Sequence, residues 1–208
     1  MRAGTLARLR RQLEDERSGR VVFLSHCLLN QNTRYLGGAF RPGAVREAVD
    51  PFLDAGVGIS QMGCPERRAW GGVLKHRILA GYGTRGRLVQ GLRRAALPLF
   101  IRYTAWRYRR LARDVAVEVE DYLRSGFEVV GIVGVGASPS CGVRTTLDLA
   151  GSLDAVASCP IARLDRDWLN HHAIAGCVRP GQGLFIHALE RELRRRGLAV
   201  PLREHHLG

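Results

Sequence analysis

At 208 residues, with a hydrophobic fraction of 46% spread in short clusters, the chain is long enough for one domain with a full core and is not a disordered protein. Its 32 lysines and arginines outnumber 19 acids for a net charge of +13, nearly all from arginine, which attracts polyanions or anionic membranes and bears on partners rather than fold. No apolar run approaches the roughly 20 residues of a membrane span, and five cysteines without a CxxC pair exclude a disulfide framework, so a cytoplasmic location is expected.

Residues 1–19 read as an N-terminal extension in which Leu6, Leu9 and Leu13 mark a short amphipathic helix, and an α/β domain is expected over 20–208. "RVVFLSHC" is an apolar run ending at Cys27, and "GVGISQMGCPE" is another with Cys64 near its end. Between them "GAVREAVDPFLDAG" (43–56) spaces Val45, Val49, Phe52 and Leu53 helically, with a kink or restart expected at Pro51. "LARDVAVEVEDYLRSG" (111–126) predicts an amphipathic helix closed by Gly126. "FEVVGIVGVGASPSC" is a third apolar run, ending at Cys141. "LDAVASCPIARL" reads as one more strand, "GLFIHALERELRRRG" (183–197) as a helix stopped at Gly197, and "LAVPLRE" as a short edge strand.

This alternation predicts a doubly wound α/β fold, a mostly parallel sheet with helices on both faces. Ligands of such sheets bind beyond the carboxyl ends of the strands, so Cys27, Cys64 and Cys141 are expected on one edge. The stretch 85–113 is expected to be an Arg-rich helical insertion, beginning at about residue 82. It carries nine arginines, no acid, and Phe100, Tyr103, Trp106 and Tyr108 between them. A solvated helical face over a buried aromatic seam accounts for it, as does an RNA-contacting arm or a segment lying on anionic lipid.

Cys159 and Cys177 lie in apolar surroundings and read as small core residues. Cys27, Cys64 and Cys141 instead follow strands at glycine- or serine-containing turns, where backbone amides favour thiolate. Three chemistries fit three such thiols. Zinc would take them with His26, though the short ligand pairs of structural zinc sites are absent. A nucleophilic cysteine would need a base, with Glu66 near Cys64 or His26 beside Cys27 as candidates. An iron–sulfur cluster held by three cysteines would leave one iron open as a Lewis acid for a sulfur atom.

"SHCLLN", "MGCPE" and "SPSCG" in this order, followed by a "GLF" helix, resemble the thiouracil desulfurase family from about Arg20 to the C-terminus. The resemblance implies a [4Fe–4S] cluster bound by Cys27, Cys64 and Cys141, with Glu66 as catalytic acid–base residue and Ser138 as the motif serine, Ser140 beside it. Arg34 and Tyr35 match the family's Arg-Tyr pair, whereas Asn30 stands where a glycine is usual. The implied reaction is non-redox removal of sulfur from a thiolated pyrimidine: a 2-thiouracil-like base, or 4-thiouridine, free or within tRNA. Water activated by Glu66 attacks the polarised carbon while Ser138 orients the base.

Each of these residues also has a plainer reading. Glu66 suits the first turn of a helix, Ser138 and Ser140 suit turns, and "NQNTRYLGG" (30–38) suits a surface loop. Otherwise Asn30, Asn32, Arg34, Tyr35 and Ser140 bind the substrate. Trp70 is a core anchor or a lid, His171 and His172 read as solvated, and His205 and His206 as tail or edge residues. The alternative function is a non-catalytic iron–sulfur or zinc protein that binds RNA or senses redox state. Glu66 separates the two, because a binding protein does not need a carboxylate there.

Overall fold

The structure, a computed structural model, describes residues 3–78 and 86–207. Four strands, β1 (Arg20–Ser25), β2 (Gly58–Met62), β3 (Glu128–Val135) and β6 (Leu202–His205), form one sheet in the order β2-β1-β3-β6, with every neighbouring pair parallel. A separate antiparallel ribbon joins β4 (Thr145–Leu147) to β5 (Val178–Pro180). The expected edge strand of "LAVPLRE" is β6, and the expected parallel core strands are β1, β2 and β3.

The helices are α1 (Ala3–Gln12), α2 (His26–Leu29), α3 (Arg46–Asp54), α4 (Pro65–Ala69), α5 (Arg87–Arg124), α6 (Leu149–Ser158), α7 (Arg166–Trp168) and α8 (Leu184–Arg195). A wider turn over Leu169–Ile174 continues α7. Alternation along β1 sorts the core. Val21 and Phe23 pack in one buried cluster with Val115 and Val119 of α5 and Leu189 of α8. Val22 and Leu24 pack in another with Ala48 and Val49 of α3. Such strands are apolar at every position because both faces are covered. Each fully buried side chain of this size contributes about 1.5–3 kcal/mol through removal from water.

Three features differ from expectation. Residues 149–158, including part of "LDAVASCPIARL", form helix α6 and not a strand. A short apolar run has no period long enough to separate the two, and Leu153, Val156 and Ala157 bury one helical face. Pro51 neither breaks nor restarts α3, which runs through it; its exposed ring faces solvent at the cost of a single backbone hydrogen bond. The Arg-rich stretch, from Arg87 on, is continuous with the predicted helix 111–126 in the 38-residue α5. The start of the expected insertion, residues 82–85, lies outside the described residues. Among the described residues no helix is long and apolar enough to cross a membrane.

Candidate functional site

A cavity of about 530 Å³ opens where β1, β2, β3 and β6 end, lined by the residues that follow each strand. Cys27, Cys64 and Cys141 all line it. Cys27 sits in α2, two residues beyond the end of β1. The buried side chain of Gln31 fixes it: the Gln31 amide donates to the Cys27 carbonyl (2.6 Å) and accepts from the Phe40 amide (3.0 Å). Cys64 precedes Pro65, the first residue of α4, and its sulfur accepts a hydrogen bond from the Arg67 amide at 3.4 Å.

Cys141 closes the tightest loop. Ser138 Oγ accepts from the amide of Cys141 (3.0 Å), and the Cys141 carbonyl accepts from the Val135 amide (2.9 Å). A methyl group at Gly134 would lie 2.2 Å from the Cys141 carbonyl oxygen, and one at Gly142 would lie 1.9 Å from that of Thr145, so only glycine allows these approaches. The carboxylate of Glu204, its side chain 3% exposed, accepts from the amides of Val143, Arg144 and Thr145 and from the Thr145 hydroxyl. These donors hold its pKa below the ordinary carboxylate range against the effect of burial. Glu204 therefore ties β6 to the segment that follows Cys141.

The thiols are close enough to influence one another. Burial, then the neighbouring Glu66, pushes the Cys64 thiol up to about 11. Burial and the Cys27 thiol raise Cys141 further, and burial raises Cys27 despite nearby Arg34. Burial thus disfavours, in the metal-free chain, the thiolate that a nucleophilic cysteine needs. Binding of a metal deprotonates such thiols instead. Two buried hydroxyls lie near them: Ser25 Oγ, close enough to Cys141 to oppose the effect of burial on that thiol, and Tyr108 Oη, whose pKa is raised well above the tyrosine range by burial, Glu66, Cys141 and Cys64. Ser140 lies near Tyr108 outside hydrogen-bonding geometry. Among the described residues no three His, Cys, Asp or Glu side chains converge on one ion position.

Glu66, in the first turn of α4, reaches the same cavity. Its Oε2 lies 2.7 Å from the Lys75 ammonium, and its Oε1 accepts from the Ser140 hydroxyl at 2.9 Å. Ser140 Oγ is in turn 3.1 Å from Ser138 Oγ. The two charged side chains are 13% and 4% exposed. Burial raises the Glu66 pKa, but Lys75 and Ser140 outweigh it and hold the carboxyl below its ordinary range. Lys75 occupies the left-handed region at φ 53°, unusual for a side chain of this kind.

Arg34 and Tyr35 also line the cavity. The Arg34 guanidinium lies 5.3 Å from the Tyr35 ring centroid, and Tyr35 Oη donates to Asn170 Oδ1 at 2.9 Å. Asn30 and Asn32 do not line it: Asn30 Oδ1 accepts from both the backbone and side-chain nitrogens of Asn32 and caps the next turn. Trp70 is a core residue, 4% exposed, with its ring nitrogen donating to Thr104 Oγ1. His171 lines the cavity, whereas His172 stacks on Trp168 at 5.3 Å. His205 ends β6 and His206 lines the rim. Cys159 and Cys177 lie outside, and none of the five cysteines is in a disulfide.

Sequence reasoning missed Lys75, Tyr108, Ser25, Gln31, Asn170 and Glu204. A signal existed for the first: Lys75 is the only lysine among 32 basic residues. Tyr108 is 1% exposed and shares a helical face with buried Thr104, Leu111 and Val115, a period visible in the sequence.

The site therefore combines three thiols around one space, a carboxylate kept ionised by a buried ammonium, two linked hydroxyls and an Arg-Tyr rim. Compared with protein-family models, curated proteins and solved structures, the chain matches none.

Proposed function

We infer that the chain is an iron–sulfur-dependent desulfidase that removes sulfur from a thiolated pyrimidine and releases hydrosulfide. One observation carries this reading: Cys27, Cys64 and Cys141 converge from three strand ends on the cavity that also holds Glu66, Ser138 and Ser140. The three-motif resemblance to the thiouracil desulfurase family supports the same assignment, and we read the two-sided packing of the sheet as its doubly wound fold with α5 as an elaboration.

A cluster held by Cys27, Cys64 and Cys141 would supply an open iron as a Lewis acid for the soft thiocarbonyl sulfur. The chain's own groups do the rest. Glu66, ionised, takes a proton from a water molecule as its oxygen bonds to the thiocarbonyl carbon. The carbon–sulfur bond then breaks, the carbonyl forms, and sulfur leaves as hydrosulfide; no electrons are exchanged with the surroundings. Ser140, bonded to both Glu66 and Ser138, offers a path for the proton. Positioned acid–base catalysis of this kind contributes about 10²–10⁴-fold. Arg34 and Tyr35 flank the entry and suit a planar base with polar edges. The substrate base is free, in a nucleoside or in tRNA, with the Arg-rich 85–113 segment as the RNA contact, and a reducing cytoplasm keeps the thiols available.

Protein purified without oxygen should contain about four iron and four sulfide per chain and release hydrosulfide from at least one of 2-thiouracil, 4-thiouridine and thiolated tRNA. Colourless protein with stoichiometric zinc, inactive on all three, would remove this function. Glu66→Gln should keep the iron and lose hydrosulfide release; iron-loaded wild type without activity would favour a non-catalytic centre.

A further inference from the structure

Helix α5 has two faces. Thr104, Tyr108, Leu111 and Val115 are buried toward the sheet, and the opposite side carries Trp106, Arg109, Arg110 and Arg113. That second side forms one wall of a groove of about 510 Å³, whose other wall is α8. Five arginines and one acid, Glu192, line it. Glu192 is already held by Arg195 at 3.4 Å, and no ion pair neutralises Arg109, Arg113 or Arg191 among the described residues. Trp106 is 45% exposed at the groove, with the Arg110 guanidinium 5.5 Å and that of Arg107 5.9 Å from its ring centroid.

We propose that this groove binds single-stranded RNA, its arginines on consecutive phosphates and an unpaired base against Trp106. Unneutralised cations crowded on a concave face repel one another in the isolated chain and are relieved by a polyanion. An exposed aromatic among arginines adds what phosphate binding alone does not need, a platform for a base. A membrane surface fits the groove less well: the exposed apolar residues of α5 that could insert into lipid, Leu88, Leu92 and Leu99, lie outside it, and its own lining carries five arginines. The groove also adjoins the cysteine site: Leu184, at its end, donates its amide to the carbonyl of Pro139, inside the Ser138–Cys141 turn. The binding does not depend on the desulfidase reading, since it needs only surface cations and Trp106.

The test is binding of the full chain to a fluorescein-labelled RNA of about 20 unpaired nucleotides across a salt series. Arg109→Ala/Arg191→Ala should weaken binding at least ten-fold and reduce the slope of log affinity against log salt by about 0.7 for each phosphate that is no longer neutralised. Arg8→Ala/Arg11→Ala, equal in charge change but on α1, should leave both unchanged. Trp106→Ala should lose roughly ten-fold with the salt slope intact. Equal losses in the α1 and groove variants would reduce the effect to net charge and overturn the proposal. So would undiminished binding by the groove variant, or binding to phosphatidylglycerol vesicles by a chain that ignores the RNA.

Discussion

Glu66 and Lys75 form a buried ion pair in the wall of the cavity. Breaking a buried ion pair leaves an uncompensated charge, so Lys75→Met should destabilise the chain by about 3–5 kcal/mol in urea titration. An unchanged midpoint would mean the pair is not held as described. The pH dependence follows from the depressed Glu66 value. A carboxyl with a lowered folded pKa contributes stability above its unfolded value, about 4.3, and loses it as pH falls through the folded value. The stability difference between wild type and Glu66→Gln should therefore be level between about pH 7 and 5 and shrink only below about 4.3. A difference that decays between pH 7 and 5 would show a raised carboxyl instead. The thiols carry the opposite sign. In metal-free protein Cys64 should react with iodoacetamide only slowly at neutral pH, with the rate still climbing toward about pH 11. Rapid alkylation at pH 7 would make Cys64 a nucleophile and revive cysteine catalysis. The three cysteines were legible from the sequence because each ends an apolar run at a small-residue turn. Lys75 stood out only by being the sole lysine; its contact with Glu66 is announced by no local pattern, and the residue itself takes a left-handed backbone conformation.

At the scale of elements, the loop carrying Cys141 is held from outside by β6. Glu204 satisfies three backbone amides there, those of Val143 and Thr145 half-buried and that of Arg144 at the surface, and Glu204→Ala removes hydrogen bonds to a charged group that contribute about 1.5–3 kcal/mol each. The variant should melt earlier and retain less iron after anaerobic purification; full iron content would show that the loop keeps its shape without the carboxylate. Helix α5 illustrates what sequence pattern does and does not carry. Its C-terminal half was readable from apolar spacing and the stop at Gly126, because that half packs on the sheet. The sequence offered a buried aromatic seam or an exposed arm for the aromatic residues of its middle, and the helical turn divides them between the two: Tyr108 is buried in the core and Trp106 is exposed at the groove. Helix α6 was misread as a strand because Leu153, Val156 and Ala157 bury only one side of a short run, too brief to establish a period.

Across the whole molecule, the parallel order β2-β1-β3-β6 brings residues 27, 64, 141 and 206 to one edge although nothing near them in sequence joins them. That convergence was foreseeable, since strand ends of a parallel sheet share an edge. The contributions of Asn170 to the rim and Glu204 to the loop were not, because both arrive from distant chain through tertiary packing. The net charge of +13 suits polyanions or anionic membranes without giving a location; the fold gathers five of the arginines into one groove by setting α8 beside α5. The proposal that Cys27, Cys64 and Cys141 hold an iron–sulfur cluster is tested most directly by iron and sulfide analysis of anaerobically purified wild type and Cys141→Ser, each assayed for hydrosulfide release from thiopyrimidines. Wild type is predicted to hold about four of each and to release hydrosulfide, and Cys141→Ser to lose both. An active wild type without iron, or a Cys141→Ser variant with full iron and activity, would contradict it.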